Sequence, residues 1–171
     1  MRKWKAILYP LVLFLVCWLP SVASANAIWP ALHLEERILF WWVILSGFIF
    51  EFIVILVFLK CTVGRALLYC STVNLASTIL GVLLIPLSGF LWEFFPGYVL
   101  YSWFGLGTFN PITWGATFLL AVMINVTMEG FVLSKFFGVT WGRCVCLMLV
   151  LANAVSVGFA VISLVLSPVS Y

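Results

Sequence analysis

Four long runs of apolar residues divide the chain, at about 38–59, 66–90, 112–137 and 143–167. Each run exceeds the roughly 20 residues that a helix needs to cross a bilayer. The charged residues within the runs are Glu51, Glu129, Lys135 and Arg143, and polar and apolar residues do not alternate there. Because hydrocarbon cannot satisfy backbone polar groups, such runs must be helical. The pattern predicts an all-α integral membrane protein, with a four-helix transmembrane bundle over residues 28–171.

A different pattern precedes the first run. Positive residues in the first five positions are followed by an apolar stretch from Ala6 to Leu19, and Ala25 and Ala27 form an A-x-A cleavage site. This three-part arrangement is typical of a secretory signal peptide. We therefore predict a signal peptide at 1–27, cleaved after Ala27. An uncleaved fifth helix is the alternative.

The turns between paired runs carry most of the remaining positive charge, on Lys60, Arg65, Lys135 and Arg143. Short loops rich in Lys and Arg face the cytoplasm under the positive-inside rule. Both mature termini then lie on the periplasmic or exterior side of a bacterial-type inner membrane. The central segment, 91–111, lies on that side too, and eight aromatic residues within it favour the headgroup region. We predict an aromatic segment at the outer interface, with a binding platform as the alternative.

The two halves of the bundle resemble each other. Residues 51–65 (EFIVILVFLKCTVGR) align with residues 129–143 (EGFVLSKFFGVTWGR), so that Glu51 matches Glu129 and both segments end in Gly-Arg. One inserted residue later, Asn74 matches Asn153. These residue types are scarce in so apolar a chain, which gives the matches weight. The pattern predicts a tandem, parallel duplication of a two-helix hairpin.

Five polar residues are predicted to meet at one depth in the membrane. Glu51 lies nine residues after Trp42 and nine before Lys60, which places it roughly 13 Å from either boundary. Counting from the turns gives a similar depth for the other members of the polar cluster, which we define as Glu51, Asn74, Asn125, Glu129 and Asn153. A carboxylate at the bilayer centre costs at least roughly 2.5–3.5 kcal/mol by insertion scales. The glutamates should therefore face the bundle interior and bond to asparagine amides.

Two functions are compatible with such a cluster. In the first, hydrogen bonds between helices hold the bundle or a partner helix together. In the second, the glutamates are proton- or cation-linked sites, because ionisable residues inside a membrane usually serve transport. Four short helices leave little room for a substrate cavity, so we expect a non-enzymatic structural or interaction subunit. A small transport or channel component is the alternative.

Composition and charge exclude further functional classes for this protein. The chain is 66% hydrophobic and 8% charged, and its net charge of +3 equals the contribution of Arg2, Lys3 and Lys5. No basic patch remains for nucleic acid. The single histidine, His33, has no catalytic partners in the sequence and is expected to be solvated at the interface. We predict no enzyme activity and no cofactor, with the lipid bilayer as partner and a second copy or another membrane subunit as a further candidate.

Three cysteines near the cytoplasmic ends of the helices are candidates for metal binding. Cys144 and Cys146 are two residues apart, and Cys61 lies in the other turn. Thiolates could hold copper or zinc there. The usual C-x2-C spacing is absent, however, so we predict no metal site.

Overall fold

The computed structural model describes residues 30–167, and the predicted signal peptide at 1–27 lies outside them. The described chain forms α1 (Pro30–Ile38), α2 (Trp41–Phe58), α3 (Val63–Trp92), a π-helical turn (Glu93–Gly97), α4 (Tyr98–Phe104), α5 (Pro111–Phe137) and α6 (Arg143–Leu166). No strand occurs in this range. Four helical stretches are long and apolar enough to cross a membrane: α2, the stretch from α3 through α4, α5 and α6. The prediction of an all-helical chain with four candidate spans is confirmed.

The four spans form a ring. The most extensive contacts join α3 to α5 and α2 to α6, and the pairs α5–α6 and α2–α3 complete the circuit. Neighbours in this ring run antiparallel. The short turns after α2 and α5 therefore lie at one end of the bundle, the turn end, and α1 lies at the other, the α1 end.

Residue size decides which face of α3 points inward. Its large exposed residues include Leu75, Ile79 and Leu83, each more than 60% exposed and spaced one helical turn apart. Lipid tails are as apolar as leucine, so helices in a bilayer associate through close packing of small residues. The inward positions of α3 recur every three or four residues and are mostly small: Ala66, Cys70, Val73, Ser77, Gly81, Ile85 and Gly89.

The expectation that His33 is solvated is wrong, because α1 folds across the end of the bundle against α3 and α6 and leaves His33 only 6% exposed. Ala31 of α1 contacts Gly89 of α3 so closely that a Cβ on the glycine would overlap it. Arg37 Nη2 donates a hydrogen bond to the backbone oxygen of Ser167, at 2.6 Å. Burial lowers the pKa of His33, because desolvation disfavours its charged form.

Hydrogen bonds attach the aromatic segment to the start of α5. The Tyr101 hydroxyl lies 3.0 Å from Glu93 Oε1 and 2.6 Å from Thr113 Oγ1. Asn110 is the N-cap of α5, and its side-chain oxygen accepts from the backbone amides of Ile112 and Thr113. An asparagine at this position satisfies amides that the first turn of a helix leaves unpaired. The segment is thus mostly helical and held in place, while its location at a membrane interface stays a prediction.

Candidate functional site

Each glutamate of the polar cluster accepts a hydrogen bond from the asparagine of its own hairpin. Asn74 Nδ2 on α3 lies 2.5 Å from Glu51 Oε2 on α2. Asn153 Nδ2 on α6 lies 2.8 Å from Glu129 Oε2 on α5. Glu51 and Glu129 are 3% and 2% exposed, so both carboxyls are inside the bundle. The structure therefore brings together the two pairs that the spacing along the chain suggested.

The asparagine side chains are oriented in the same way in both pairs. Asn74 Nδ2 also donates to the backbone oxygen of Cys70 at 3.0 Å, and Asn153 Nδ2 donates to that of Leu149 at 3.1 Å. In both cases the acceptor lies one turn earlier in the same helix. An amide group has two hydrogens to donate. Both hydrogens of each amide group are therefore used.

A serine connects the two hairpins at Glu51. Ser156 Oγ on α6 donates to Glu51 Oε1 at 2.5 Å. The contact requires a close approach of α6 to α2. Gly47, one turn before Glu51, provides the space, because a Cβ there would lie 2.9 Å from Ser156 Oγ. Glu51 thus receives donors from both of its neighbours in the ring.

The equivalent region around Glu129 is arranged differently. Asn125 lies one turn before Glu129, as Gly47 does before Glu51. Its Oδ1 lies 3.9 Å from where a Cβ of Gly81 would be. Ser77 faces Glu129, but its hydroxyl donates to the backbone oxygen of Asn74 at 3.2 Å. Among residues 30–167, Asn153 is the one residue that makes a hydrogen bond of ordinary length and angle to Glu129.

All five residues of the polar cluster line one cavity of about 70 Å³. It lies between α2 and α3 and reaches from the cluster toward α1, where Glu35 forms part of its wall. Its lining includes Ile44 and Val82, which are nearly half exposed on the outside of the bundle. Among residues 30–167, the lining has three glutamates and no lysine, arginine or histidine. Burial raises the pKa of Glu35, because desolvation disfavours its carboxylate form.

A tryptophan packs against α5 next to Glu129. Trp141, in the turn between α5 and α6, folds back so that a Cβ on Gly130 would overlap its ring. Gly130 directly follows Glu129 in α5 and is buried. The cavity does not include Trp141 among its lining residues. The side of α5 next to Glu129 is therefore packed at the turn end, whereas the cavity extends toward the α1 end.

The four positive residues of the turns are all exposed at the turn end. Lys135 lies in the last turn of α5, where a positive charge is favourable to the helix dipole. Arg65 and Arg143 lie in the first turns of α3 and α6, where the same charge is unfavourable. Helix stability does not account for these two arginines.

The cysteines show no metal-binding arrangement in the described part of the chain. Cys61, Cys70, Cys144 and Cys146 are free thiols, and residues 30–167 contain no group of three metal-ligating side chains. Cys70 is buried beside the cluster, and its sulfur lies 3.6 Å from the backbone oxygen of Phe48.

Sequence reasoning missed three members of the site. Ser156, Ser77 and Gly47 are not among the five residues that the spacing along the chain predicts for the polar cluster. The signal that could have found Ser156 is its position three residues after Asn153, on the same face of α6. Which helices are neighbours in the ring could not be read from spacing, so the bond to Glu51 could not be predicted.

Comparison with known proteins gave no relatives: no protein family, curated protein or solved structure matches the chain. Functional inference therefore depends on the geometry alone.

Proposed function

We propose that this chain is a non-enzymatic membrane protein, a structural or interaction subunit whose polar cluster holds two helical hairpins in one bundle. The observation that carries this proposal is the pair of bonds to Glu51, from Asn74 of its own hairpin and Ser156 of the other. A single buried side chain thereby connects three helices. Hydrogen bonds between helices in membranes contribute about 0.6 kcal/mol on average and up to about 1.7 kcal/mol.

The structural role is tested by replacing Glu51 with glutamine or with leucine. The Oε1 of glutamine can accept from Asn74 while its Nε2 donates to the Ser156 hydroxyl, so Glu51→Gln is expected to unfold at nearly the same temperature as the wild type in detergent. Glu51→Leu leaves both donors without an acceptor and should unfold several degrees lower. Equal unfolding temperatures for the leucine variant and the wild type would remove the proposed role.

The cavity supports a second candidate, a small transport component with the glutamates as proton- or cation-linked sites. Bonds between helices do not require an open space beside the carboxyls, yet about 70 Å³ is present. A cavity needs about 10–15 Å³ to hold one water, so several waters or a partly hydrated ion would fit here. Glu35 provides a third carboxyl between the cluster and the α1 end.

Reconstituted flux separates the two candidates. Proteoliposomes carrying wild-type protein are given a pH gradient, and internal pH is followed with a trapped dye. The transport candidate predicts flux that the double variant Glu51→Gln/Glu129→Gln abolishes while the protein still inserts. The structural candidate predicts identical traces for the wild type, the double variant and empty liposomes.

The remaining expectations belong to the same proposal. The matching bonds of the Glu51–Asn74 and Glu129–Asn153 pairs support a tandem duplication of one hairpin. Arg65 and Arg143, placed against the helix dipole, support the assignment of the turn end to the cytoplasm. The same proposal includes a cleaved signal peptide, a bacterial-type inner membrane and termini on the outer side. The partners are the bilayer and either a second copy or another membrane subunit, with no role for nucleic acid.

A further inference from the structure

The hydrogen-bond donors of the polar cluster are nearly all used within the protein. Both hydrogens of the Asn74 and Asn153 amides and the hydroxyl hydrogen of Ser156 have acceptors. Asn125 is the one lining amide of the cluster that has no hydrogen bond in the described chain. Apart from the Asn125 amide and the Thr78 hydroxyl, which also line the cavity, the polar side chains at this point offer acceptors to anything that enters it.

A buried acceptor of the cluster is unused. Asn153 is 1% exposed, lines the cavity, and its Oδ1 has no hydrogen-bond partner within residues 30–167. Glu129 accepts from Asn153 through Oε2, and the Ser77 hydroxyl beside the carboxyl donates to the backbone oxygen of Asn74. The orientation of Asn153 is fixed, because its Nδ2 must face two acceptors, Glu129 and the backbone oxygen of Leu149. A buried polar atom without a partner destabilises the protein, and a ligand at this point would recover that loss.

We propose that the cavity binds one small monovalent metal cation of the Na⁺ type, held by Glu129, Asn153 and Asn125 and reached past Glu35. Carboxylate and amide oxygens are the ligands that hard cations prefer. Both oxygens of Glu51 already accept hydrogen bonds, which leaves the Glu129 carboxyl and the amide oxygens of Asn125 and Asn153 as the ligands for the ion. A Ca²⁺ ion takes six to eight oxygens, usually from several carboxylates, and this set does not provide them.

The size of the cavity supports an inorganic ion over an organic one. About 70 Å³ holds an ion and the few waters that complete its coordination. An apolar cavity that accommodates benzene is about 150 Å³. The titratable groups that line the site are Glu35 from α1, Glu51 from α2 and Glu129 from α5; Cys70 of α3 is buried beside Asn74, and α6 contributes none. Protons are therefore expected to compete with the cation at the carboxyls.

The test is equilibrium binding of ²²Na⁺ to the full-length protein in detergent at pH 8, against N-methylglucamine at equal ionic strength. Wild type is expected to bind about one Na⁺ per chain in a saturable manner, and Na⁺ should raise its unfolding temperature. Glu129→Gln and Asn125→Ala should each weaken the affinity at least about tenfold, as loss of groups in a metal site does. Absence of saturable binding to folded wild-type protein would overturn the proposal.

Asn125→Ala keeps the test decisive if Glu129→Gln fails to fold, because Asn125 makes no hydrogen bond within the described chain. Thr127→Ala is its matched control on α5, since the Thr127 hydroxyl is exposed and bonds only to the backbone of Met123. Glu35→Gln and Glu36→Gln form a second pair, because Glu35 lines the cavity and Glu36 is exposed outside it. Equal weakening within either pair would count against the site.

This inference deepens the second candidate function, but binding and flux are measured separately. Saturable Na⁺ binding without flux would remove the transport role and leave the site. Flux of protons without Na⁺ binding would remove the site and leave the transport role.

Discussion

The surroundings of Glu51 and Glu129 are alike in one contact and different in the next. Each carboxyl accepts from the asparagine of its own hairpin. Glu51 also accepts from Ser156, whereas the Ser77 hydroxyl beside Glu129 donates to the backbone oxygen of Asn74. The residue one turn earlier is a glycine in α2 and Asn125 in α5. The glutamate–asparagine bond is therefore common to both hairpins. Glu51 has a close contact between helices beside it, whereas Glu129 has further polar atoms beside it.

This difference suggests that the two glutamates have separate roles. Glu51 has both oxygens occupied by donors on two other helices, which suits it for holding the bundle together. Glu129 is equally buried but has fewer donors, and it faces the space where the unpartnered Asn153 oxygen lies. Variants that remove or exchange single contacts can test this division, and they are ordered below by the expected loss in free energy of unfolding.

The largest effect is expected for Asn153→Leu. This change removes the amide that donates to Glu129, and the carboxyl then has no donor at normal bonding distance in the described chain. Loss of a partner for a buried polar group costs about 1–3 kcal/mol. The matched variant Asn74→Leu should cost less, because Glu51 keeps Ser156 and Asn74 is only half-buried. Unfolding followed by circular dichroism in mixed micelles measures both, and a larger loss for Asn74→Leu would contradict the comparison.

Gly47→Ala comes next. The added methyl group would lie 2.9 Å from Ser156 Oγ, so α2 and α6 must separate or the serine must turn away. Overfilling of a close contact typically costs about 1–3 kcal/mol, and movement of the serine should keep this case near the lower limit. Gly115→Ala is a suitable control, because no atom lies within 4 Å of its Cβ position. A neutral result for Gly47→Ala in the same unfolding assay would show that the close approach is not needed.

Ser156→Ala should have a smaller effect. Glu51 loses one donor but retains Asn74, so the expected loss is about 0.6 kcal/mol, the average for a hydrogen bond between membrane helices. Ser77→Ala is the matched change in the other hairpin, and it removes only a bond to the backbone of Asn74. We expect the Ser77 variant to lose less than the Ser156 variant. The reverse order would mean that Ser77 supports Glu129 directly.

The smallest effect on stability is expected for Asn125→Ala. Asn125 is half-buried and makes no hydrogen bond within residues 30–167, so its free energy of unfolding should change by less than about 0.5 kcal/mol. A large loss would show that Asn125 belongs to the structural contacts and not to the open side of the cavity.

The level at which the polar residues meet could be predicted from sequence, because helical rise is constant and the charged turns mark one membrane boundary. Counting from Lys60 and Arg65 brought Glu51 and Asn74 to the same depth, and they are bonded in the structure. Rotation about the helix axes and the order of helices in the ring could not be predicted. In an apolar chain nearly every face can be buried, so residue type gives little information on which face meets which helix.

The helix α1 was missed for a related reason. Its nine residues are too short for a span and contain His33, two glutamates and Arg37. These charges favoured a solvated segment. What buries the helix is a contact between two small residues, Ala31 and Gly89, that lie far apart in the chain. Local composition cannot show such a long-range fit.

The bond from Arg37 to the backbone of Ser167 brings the first and last described elements side by side. When the first and last elements of a helical region are neighbours, a linker can often join them while new ends are opened in a surface loop, as in circular permutation. A permuted chain opened between Gly105 and Asn110 would place the second hairpin ahead of the first. If the ring of helices is set by its contacts and not by the order of synthesis, that chain should rebuild both glutamate–asparagine pairs.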